Sequence, residues 1–311
     1  MNKGKSLIAK NEMTPGEHVF HFFNYVFLIL FTLLCVYPFY YLIINSISNN
    51  QLSANGLINW LPKGIHWDNY KTVLGLSGVT QAALVSLGRT VIGTALTVVA
   101  SAFLGFIFTE KNLWHRSFWY RFVIVTMYFN AGLIPMFICM KNLHLTNTFW
   151  VYILPAIVQP FNIILVKTYI ESLPHALEEA AEMDGANTLQ IFKDIILPSC
   201  TPILATVAIF AAVAQWNSFQ DTLMYITNDK LYSLQYLLYQ YINQASSLAQ
   251  MVKNGGVSMA SMATQQTPTS IRMTVSVIVV LPILFIYPMF QRFFVKGIML
   301  GSVKGWFFTS Y

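Results

Sequence analysis

The sequence predicts an all-α integral membrane protein with six transmembrane helices, and three observations predict it. Apolar residues fill 56% of the 311 positions and charged residues only 10%, against about 25% charged in an ordinary soluble domain. So little polar material cannot cover a water-facing globule, and the chain needs a solvent that accepts apolar surface. The apolar residues gather into six long runs. The cations behind the net charge of +6 fall between these runs and form no basic stripe, so they read as orientation signals and not as a nucleic-acid surface.

The first run, Phe22–Ile44, contains no charge. About 20 apolar residues at about 1.5 Å each cross about 30 Å of hydrocarbon. Comparable runs follow at Thr90–Phe108, Phe122–Met140, Phe149–Val166, Ile203–Phe219 and Met273–Phe290. Six crossings put both termini on one side, which takes eleven cations: Lys3, Lys5, Lys10, Lys111, Arg116, Arg121, Lys167, Lys193, Arg292, Lys296 and Lys304. The other side takes seven, Lys63, Lys71, Arg89, Lys141, Lys230, Lys253 and Arg272, mostly in long loops that weigh little in the positive-inside rule. Both termini are therefore expected in the cytoplasm. The N-terminal apolar run is too long for a signal peptide and lacks a convincing cleavage site. Cys35, Cys139 and Cys200 have no paired spacing and read as small buried hydrophobes.

Several runs are more than anchors. The third contains Asn130, Gly132 and Pro135, the fourth Pro155, Gln159, Pro160 and Asn162, and the fifth ends in Gln215, Trp216 and Asn217. Such residues are tolerated in lipid when they face protein or a wet cavity. Helix–helix hydrogen bonding and a polar translocation path both fit. Two hydrophilic segments, Asn45–Ala83 and Gln220–Ile271, are long enough for short helices. The second holds an aromatic, amide-rich run, Leu231–Ile242, and then a Gly/Ser/Met/Thr stretch, Asn254–Ser270, which reads as a flexible loop.

Between the fourth and fifth runs lies a stretch of different character. At 100° per residue, Ala176, Leu177, Ala180, Ala181 and Met183 share one face, and Glu178, Glu179 and Glu182 the opposite one. Asp184 returns to the apolar side, and Gly185 suits a left-handed helix stop. A second amphipathic run follows from Ala186, with Leu189, Ile191, Phe192, Ile195 and Ile196 on one side and Gln190, Lys193 and Asp194 on the other. Pro198 is expected to end it, and Asp184 to cap its first amides. The pattern is two short helices with a glycine hinge, lying against the membrane.

Glu179-Ala180-Ala181, two residues, Asp184-Gly185-Ala186, then Phe192 and Leu197-Pro198 closely resemble the "EAA" signature of ABC-importer permeases. From Arg121 to Tyr241 the chain is similar to binding-protein-dependent carbohydrate permeases of the maltose small-subunit kind, in the branch handling oligosaccharides and uronate-containing sugars. Asn130 to Pro135, Leu143 to Thr148, Leu173-Pro174, Gln215-Trp216-Asn217 and the tail Phe294 to Gly305 carry that likeness. Ala131 departs from it, since the family often has glycine there. The resemblance implies a type I ABC-importer permease fold with both termini inside. It divides the chain into a tail 1–21, a first helix 22–46, a core 83–297 with a coupling loop 171–199 and an extracytoplasmic segment 220–271, and a tail 298–311. It implies that Glu179, Ala180, Ala181, Asp184, Gly185, Ala186, Phe192 and Pro198 dock on a cytoplasmic ATPase subunit, with Gly301 and Lys304 of the tail also reaching the ATPase pair. The implied partners are a second permease subunit, two ATPase subunits carrying ATP and Mg, and an extracytoplasmic binding protein that delivers a saccharide. Asn130, Gln159, Asn162, Gln215, Trp216 and Asn217 are the expected substrate-path residues, since amides suit hydroxyls and an aromatic face suits a sugar ring.

No phosphate-binding G-x-x-x-x-G-K-[ST] loop occurs, and Gly4-Lys5-Ser6 lacks the preceding glycine. No metal-ligand spacing or serine-centred hydrolase motif occurs either, so the chain is expected to catalyse nothing alone. An importer permease for a non-sugar solute and a secondary transporter are the alternatives. The second would call for inverted repeats and intramembrane charges, and neither is read in the sequence.

Overall fold

The computed structural model describes residues 15–75, 78–129, 131–253 and 267–297. Among them every regular element is helical. In chain order these are α1 (Pro15–Ser46), α2 (Asn50–Ala54), α3 (Asp68–Gly75), α4 (Val79–Ile107), α5 (Arg116–Tyr128), α6 (Leu133–Asn142), α7 (Pro160–Ile170), α8 (Ala176–Met183), α9 (Thr188–Gln190), α10 (Leu197–Ser199), α11 (Thr201–Asn217), α12 (Gln220–Tyr225), α13 (Leu234–Lys253) and α14 (Pro268–Gly297). Three helices are long and apolar enough to cross a membrane: Gly16–Ser46, Val79–Ile107 and Thr269–Ile286. Three bent pairs reach the same standard when each is taken as one span: α5 with α6, Phe149–Ala156 with α7, and Thr188–Ser199 with α11. The breaks fall where proline or glycine interrupts the backbone ladder, at Gly132, at Pro155 and Pro160, and at Pro202.

α4 is the central rod. Along it Arg89, Gly93, Thr97, Ser101 and Gly105 recur every fourth residue and all are buried, so one face of the helix turns inward. Two of these positions demand glycine for close approach. A Cβ on Gly93 would lie 2.8 Å from the Gln215 side chain of α11, and one on Gly105 would lie 2.8 Å from Val166 and 3.2 Å from the Lys167 backbone of α7. α4 reaches all three buried clusters. Phe106 joins Val166, Ile191, Ile196 and Val207 at one end, Val79 and Ala82 join Leu234 and Val275 at the other, and Val85 joins Tyr152 and Ile153 between them.

The second long apolar helix therefore starts at Val79, not Thr90, and Arg89 lies inside the rod instead of in a loop. The reading that found no charge within the spans is corrected on the same ground. Residues 79–89 include Ser86 and Arg89, both buried, because their face of the helix packs on protein. Ser86 Oγ accepts from the Leu234 N–H at 2.8 Å, and Gln81 donates to the Lys230 carbonyl.

The segment between α1 and α4 is fixed by buried polar groups. Asn45 donates to the Tyr41 and Ile58 carbonyls and accepts from Ser53, while Asn69 donates to the Ser46 carbonyl and to Asn50. The aromatic run after α12 is a longer helix than expected, since α13 extends to Lys253. Of the expected flexible stretch, residues 254–266 lie outside the described residues and Pro268–Ser270 already belongs to α14. Only Cys200 is buried; Cys35 and Cys139 are exposed on the apolar surfaces of α1 and α6.

Overpacking a filled contact costs about 1–3 kcal/mol. Gly105→Leu should therefore lower the thermal unfolding temperature of the purified protein, whereas Gly88→Ala, with its nearest neighbour Phe149 at 3.5 Å, should leave it unchanged or raise it. Equal effects of the two substitutions would contradict the close α4–α7 contact.

Candidate functional site

Two sites lie along α4, one at its C-terminal end and one beside its middle. The first is the helix pair at its C-terminal end. Ala181 of α8 is buried with Ile191, Ile196 and Cys200 against Phe106, Val166 and Ile170. Phe192 packs its ring 5.1 Å from that of Phe106 and 5.9 Å from that of Phe103. The pair is thus seated on α4, α7 and α11. Gly185 makes the turn at φ +80° with open space where a Cβ would sit, and the Ala186 N–H closes the helix end on the Ala181 carbonyl at 2.9 Å.

Three details differ from the sequence reading. Asn187, not Asp184, caps the second helix: its Oδ1 accepts from the Gln190 N–H at 2.9 Å, and Gln190 Oε1 accepts from the Asn187 N–H at 2.8 Å. Asp184 ends α8 and is exposed. Pro198 does not end the second helix, which runs through it to Ser199. Proline has no N–H for the Asp194 carbonyl four residues back. The turn over Ile191–Ile196 widens to π-helical bonding, with the Leu197 N–H reaching the Phe192 carbonyl. Finally, the apolar stripe of α8 is covered only at Ala181. Met183 is 88% exposed, and Leu177 and Leu189 are exposed with it.

Beside these side chains stand Glu179 and Glu182, exposed, and Glu178, half-buried. Glu110, just past the end of α4, joins them. Its carboxyl is pushed above the usual carboxylate range by burial first and then by the charges of Glu178 and Glu182. The sequence reading missed Glu110, because only the fold brings that loop beside α8.

The second site is a cavity of about 380 Å³ beside the middle of α4, where Arg89 and Thr97 line it. Of the expected path residues, Gln159, Asn162 and Gln215 line it, together with Tyr152, Phe161 and Phe210. Gln159 precedes α7 and Asn162 lies in its first turn, so a spacing of three puts both on one side. Trp216 and Asn217 do not line the cavity. Trp216 Nε1 donates to the Val279 carbonyl of α14 at 3.0 Å, and Asn217 accepts from Gln235 at 3.1 Å. Asn130, Gly301 and Lys304 lie outside the described residues.

The cavity wall is built around Arg89, which is 1% exposed. Nε and Nη2 both donate to Gln215 Oε1, at 3.1 and 3.0 Å. Nη1 donates to the Ser218 carbonyl at 3.3 Å and to Asp221 Oδ1 at 3.1 Å, and Nη2 donates to Asp221 Oδ2. The guanidinium lies over the Tyr152 ring, 4.3 Å from its centroid. Gln215 Nε2 in turn donates to the Tyr152 carbonyl at 3.1 Å, and the Tyr152 hydroxyl to the Leu231 carbonyl at 2.7 Å. Arg89, Tyr152 and Asp221 were not expected as site residues. The four-residue recurrence of small side chains along α4, traced one step back, does lead to Arg89.

A bundle of long apolar helices with a surface helix pair at the end of α4 and a cavity beside its middle fits a transport permease. Residues 97–300 match the model of the family described as "Binding-protein-dependent transport system inner membrane component", and the chain belongs to that family. It is 33% identical to the polygalacturonan/rhamnogalacturonan transport system permease protein YtcP of Bacillus subtilis, over 93% of this chain and 99% of the relative. It is 27% identical to the arabinooligosaccharides transport system permease protein AraQ of Halalkalibacterium halodurans, over 88% and 92%. A solved bacterial ABC transporter involved in the import of the acidic polysaccharide alginate contains a chain similar to this one, with a TM-score of 0.77, 26% identity, and coverage of 91% of this chain and 99% of that chain.

Removing one partner of a buried ion pair costs about 3–5 kcal/mol, because the other charge is left uncompensated. Arg89→Met and Asp221→Leu should each lower the unfolding temperature strongly, and the double variant should lose less than the two combined. Strict additivity would show that the pair is not coupled.

A raised folded-state pKa at Glu110 means that the folded chain holds that proton more tightly than the unfolded one. The penalty is full while Glu110 is ionised and is relieved as the pH falls through the raised value toward 4.5. Glu110→Gln should therefore stabilise the protein at neutral pH, by a margin that shrinks on acidification in thermal unfolding. A margin independent of pH would contradict the assignment.

Proposed function

We propose that this chain is one permease subunit of an ATP-driven importer that passes a saccharide from an extracytoplasmic binding protein into the cytoplasm by alternating access. The cargo is an oligosaccharide or a uronate-containing saccharide. The observation that carries this reading is the helix pair: it is anchored on three core helices through Ala181, Ile191, Phe192 and Ile196, yet leaves Leu177, Met183, Leu189 and the glutamates uncovered. A face anchored inward and exposed outward suits a second protein, and the resemblance of Glu179 to Pro198 to the permease signature supports reading it as the ATPase-coupling element. The relatives named for polygalacturonan, rhamnogalacturonan and arabinooligosaccharides, together with the alginate importer, support the cargo.

In this reading the chain crosses the bacterial inner membrane six times with both termini in the cytoplasm. It pairs with a second permease subunit. Two ATPase subunits bind ATP and Mg, and Glu179 meets their basic groups. The tail around Gly301 and Lys304 reaches the same subunits, and the binding protein rests on the segments 45–83 and 220–271. The cavity bounded by Gln159, Asn162 and Gln215 is this subunit's share of the sugar path, with Trp216 and Asn217 supporting it from behind through α14 and α13. Asn130 belongs to the same path.

Gly185 supplies the test. Its positive φ disfavours side chains by about 1–2 kcal/mol, Asn excepted, but the chain itself leaves open space where a Cβ would sit. In proteoliposomes holding the complete complex, loaded binding protein should accelerate ATP hydrolysis, and Gly185→Asn should retain most sugar uptake. Gly185→Trp should abolish uptake while leaving insertion and subunit pairing intact. Normal uptake by Gly185→Trp, or ATP hydrolysis indifferent to the binding protein, would refute the reading.

A further inference from the structure

The buried Arg89 invites the view that it receives a sugar carboxylate, and a count of its donors argues against that. A guanidinium has five N–H donors. Nε spends one on Gln215, Nη1 spends two on the Ser218 carbonyl and Asp221, and Nη2 spends two on Gln215 and Asp221. None remains. The aromatic face of Tyr152 covers the guanidinium as well.

Asp221 is different. An ionised carboxylate accepts about four hydrogen bonds. Oδ1 accepts two, from Arg89 Nη1 and the Thr222 N–H, and Oδ2 accepts one from Arg89 Nη2. An Oδ2 lone pair is left on a side chain that is 19% exposed and lines the cavity. Every other charged group named on this wall is internally consumed, so the wall presents an acceptor and no cationic donor.

Resting on the carbohydrate reading above, we propose that the cavity is a hydroxyl-reading saccharide subsite, in which Asp221 accepts from a sugar hydroxyl and Arg89 is a positioning residue that does not touch the sugar. The amides of Gln159 and Asn162 supply further hydroxyl partners, and Phe161 and Phe210 supply apolar wall for the ring carbons. A second consequence is charge selection. A substrate carboxylate at this subsite would face Asp221, so an acidic saccharide places a hydroxyl face here and its carboxylate elsewhere along the path.

The test compares uptake of trigalacturonate with that of its uncharged methyl ester by the complete complex in proteoliposomes, both delivered on the cognate binding protein. Like charges several Å apart at intermediate dielectric are worth about 1 kcal/mol. Asp221→Asn should therefore raise the acid-to-ester uptake ratio about fivefold to tenfold. Arg89→Lys, which disturbs Asp221 without removing its charge, should slow both probes together and leave the ratio unchanged. Asn162→Asp adds a carboxylate while leaving the Arg89 pair intact, and it should lower the ratio even if the Asp221 variant fails to assemble. A selective loss of acid uptake in Arg89→Lys would overturn the proposal and make Arg89 the carboxylate receptor. An unchanged ratio in both Asp221→Asn and Asn162→Asp would overturn it as well. Wild-type complex that imports neither these probes nor a neutral oligosaccharide delivered on the same binding protein would instead refute the carbohydrate reading on which the proposal rests.

Discussion

The structure depends on satisfying one buried cation. A guanidinium inside a helical bundle is tolerated only when its donors and its charge are both met, and at Arg89 this requirement fixes the positions of four elements. α4 supplies the side chain. α11 supplies Gln215 and, because the helix stops at Asn217, the free carbonyl of Ser218. α12 supplies Asp221, and the short helical turn Phe149–Tyr152 supplies the ring of Tyr152. Gln215 can reach across only because Gly93 has no side chain in its way. The cavity is what remains beside this knot, so its shape follows from the same set of bonds.

The apolar runs were legible because lipid imposes a strong rule on composition, and each run contains or becomes a helix. The helix ends were not legible from hydropathy. Val79–Arg89 reads as a polar connection because Ser86 and Arg89 are buried against other protein segments rather than facing water. Hydropathy reports the solvent that a residue would prefer, and a buried protein-facing turn satisfies polar groups by a route that the scale does not register. The coupling pair was legible by its 100° period and its signature. Its cap was legible too: Asn187 with Gln190 three residues on is a capping-box pattern. Choosing Asp184 put the cap before the glycine rather than after it.

The cavity was legible in part. Gln215, Trp216 and Asn217 are consecutive on a helix, so successive side chains diverge by about 100° and cannot share one small space. Gln215 turns to Arg89, Trp216 to α14 and Asn217 to α13. Gln159 and Asn162, three apart, do converge. Asp221 carried no sequence signal, because its role comes from a partner 132 positions away.

The joint between the second coupling helix and α11 has a mechanical consequence. Thr188–Ser199 meets α11 at 78°, with Cys200 buried at the corner and Ile196 and Ile203 buried on either side of it in sequence. Pro198 and Pro202 flank the corner, each with its φ locked. An elbow so close to square and buried at its corner acts as a bell crank. A thrust along the short arm arrives on α11 as a sideways swing, and one across it arrives as a lengthwise stroke. The far end of that lever carries Gln215.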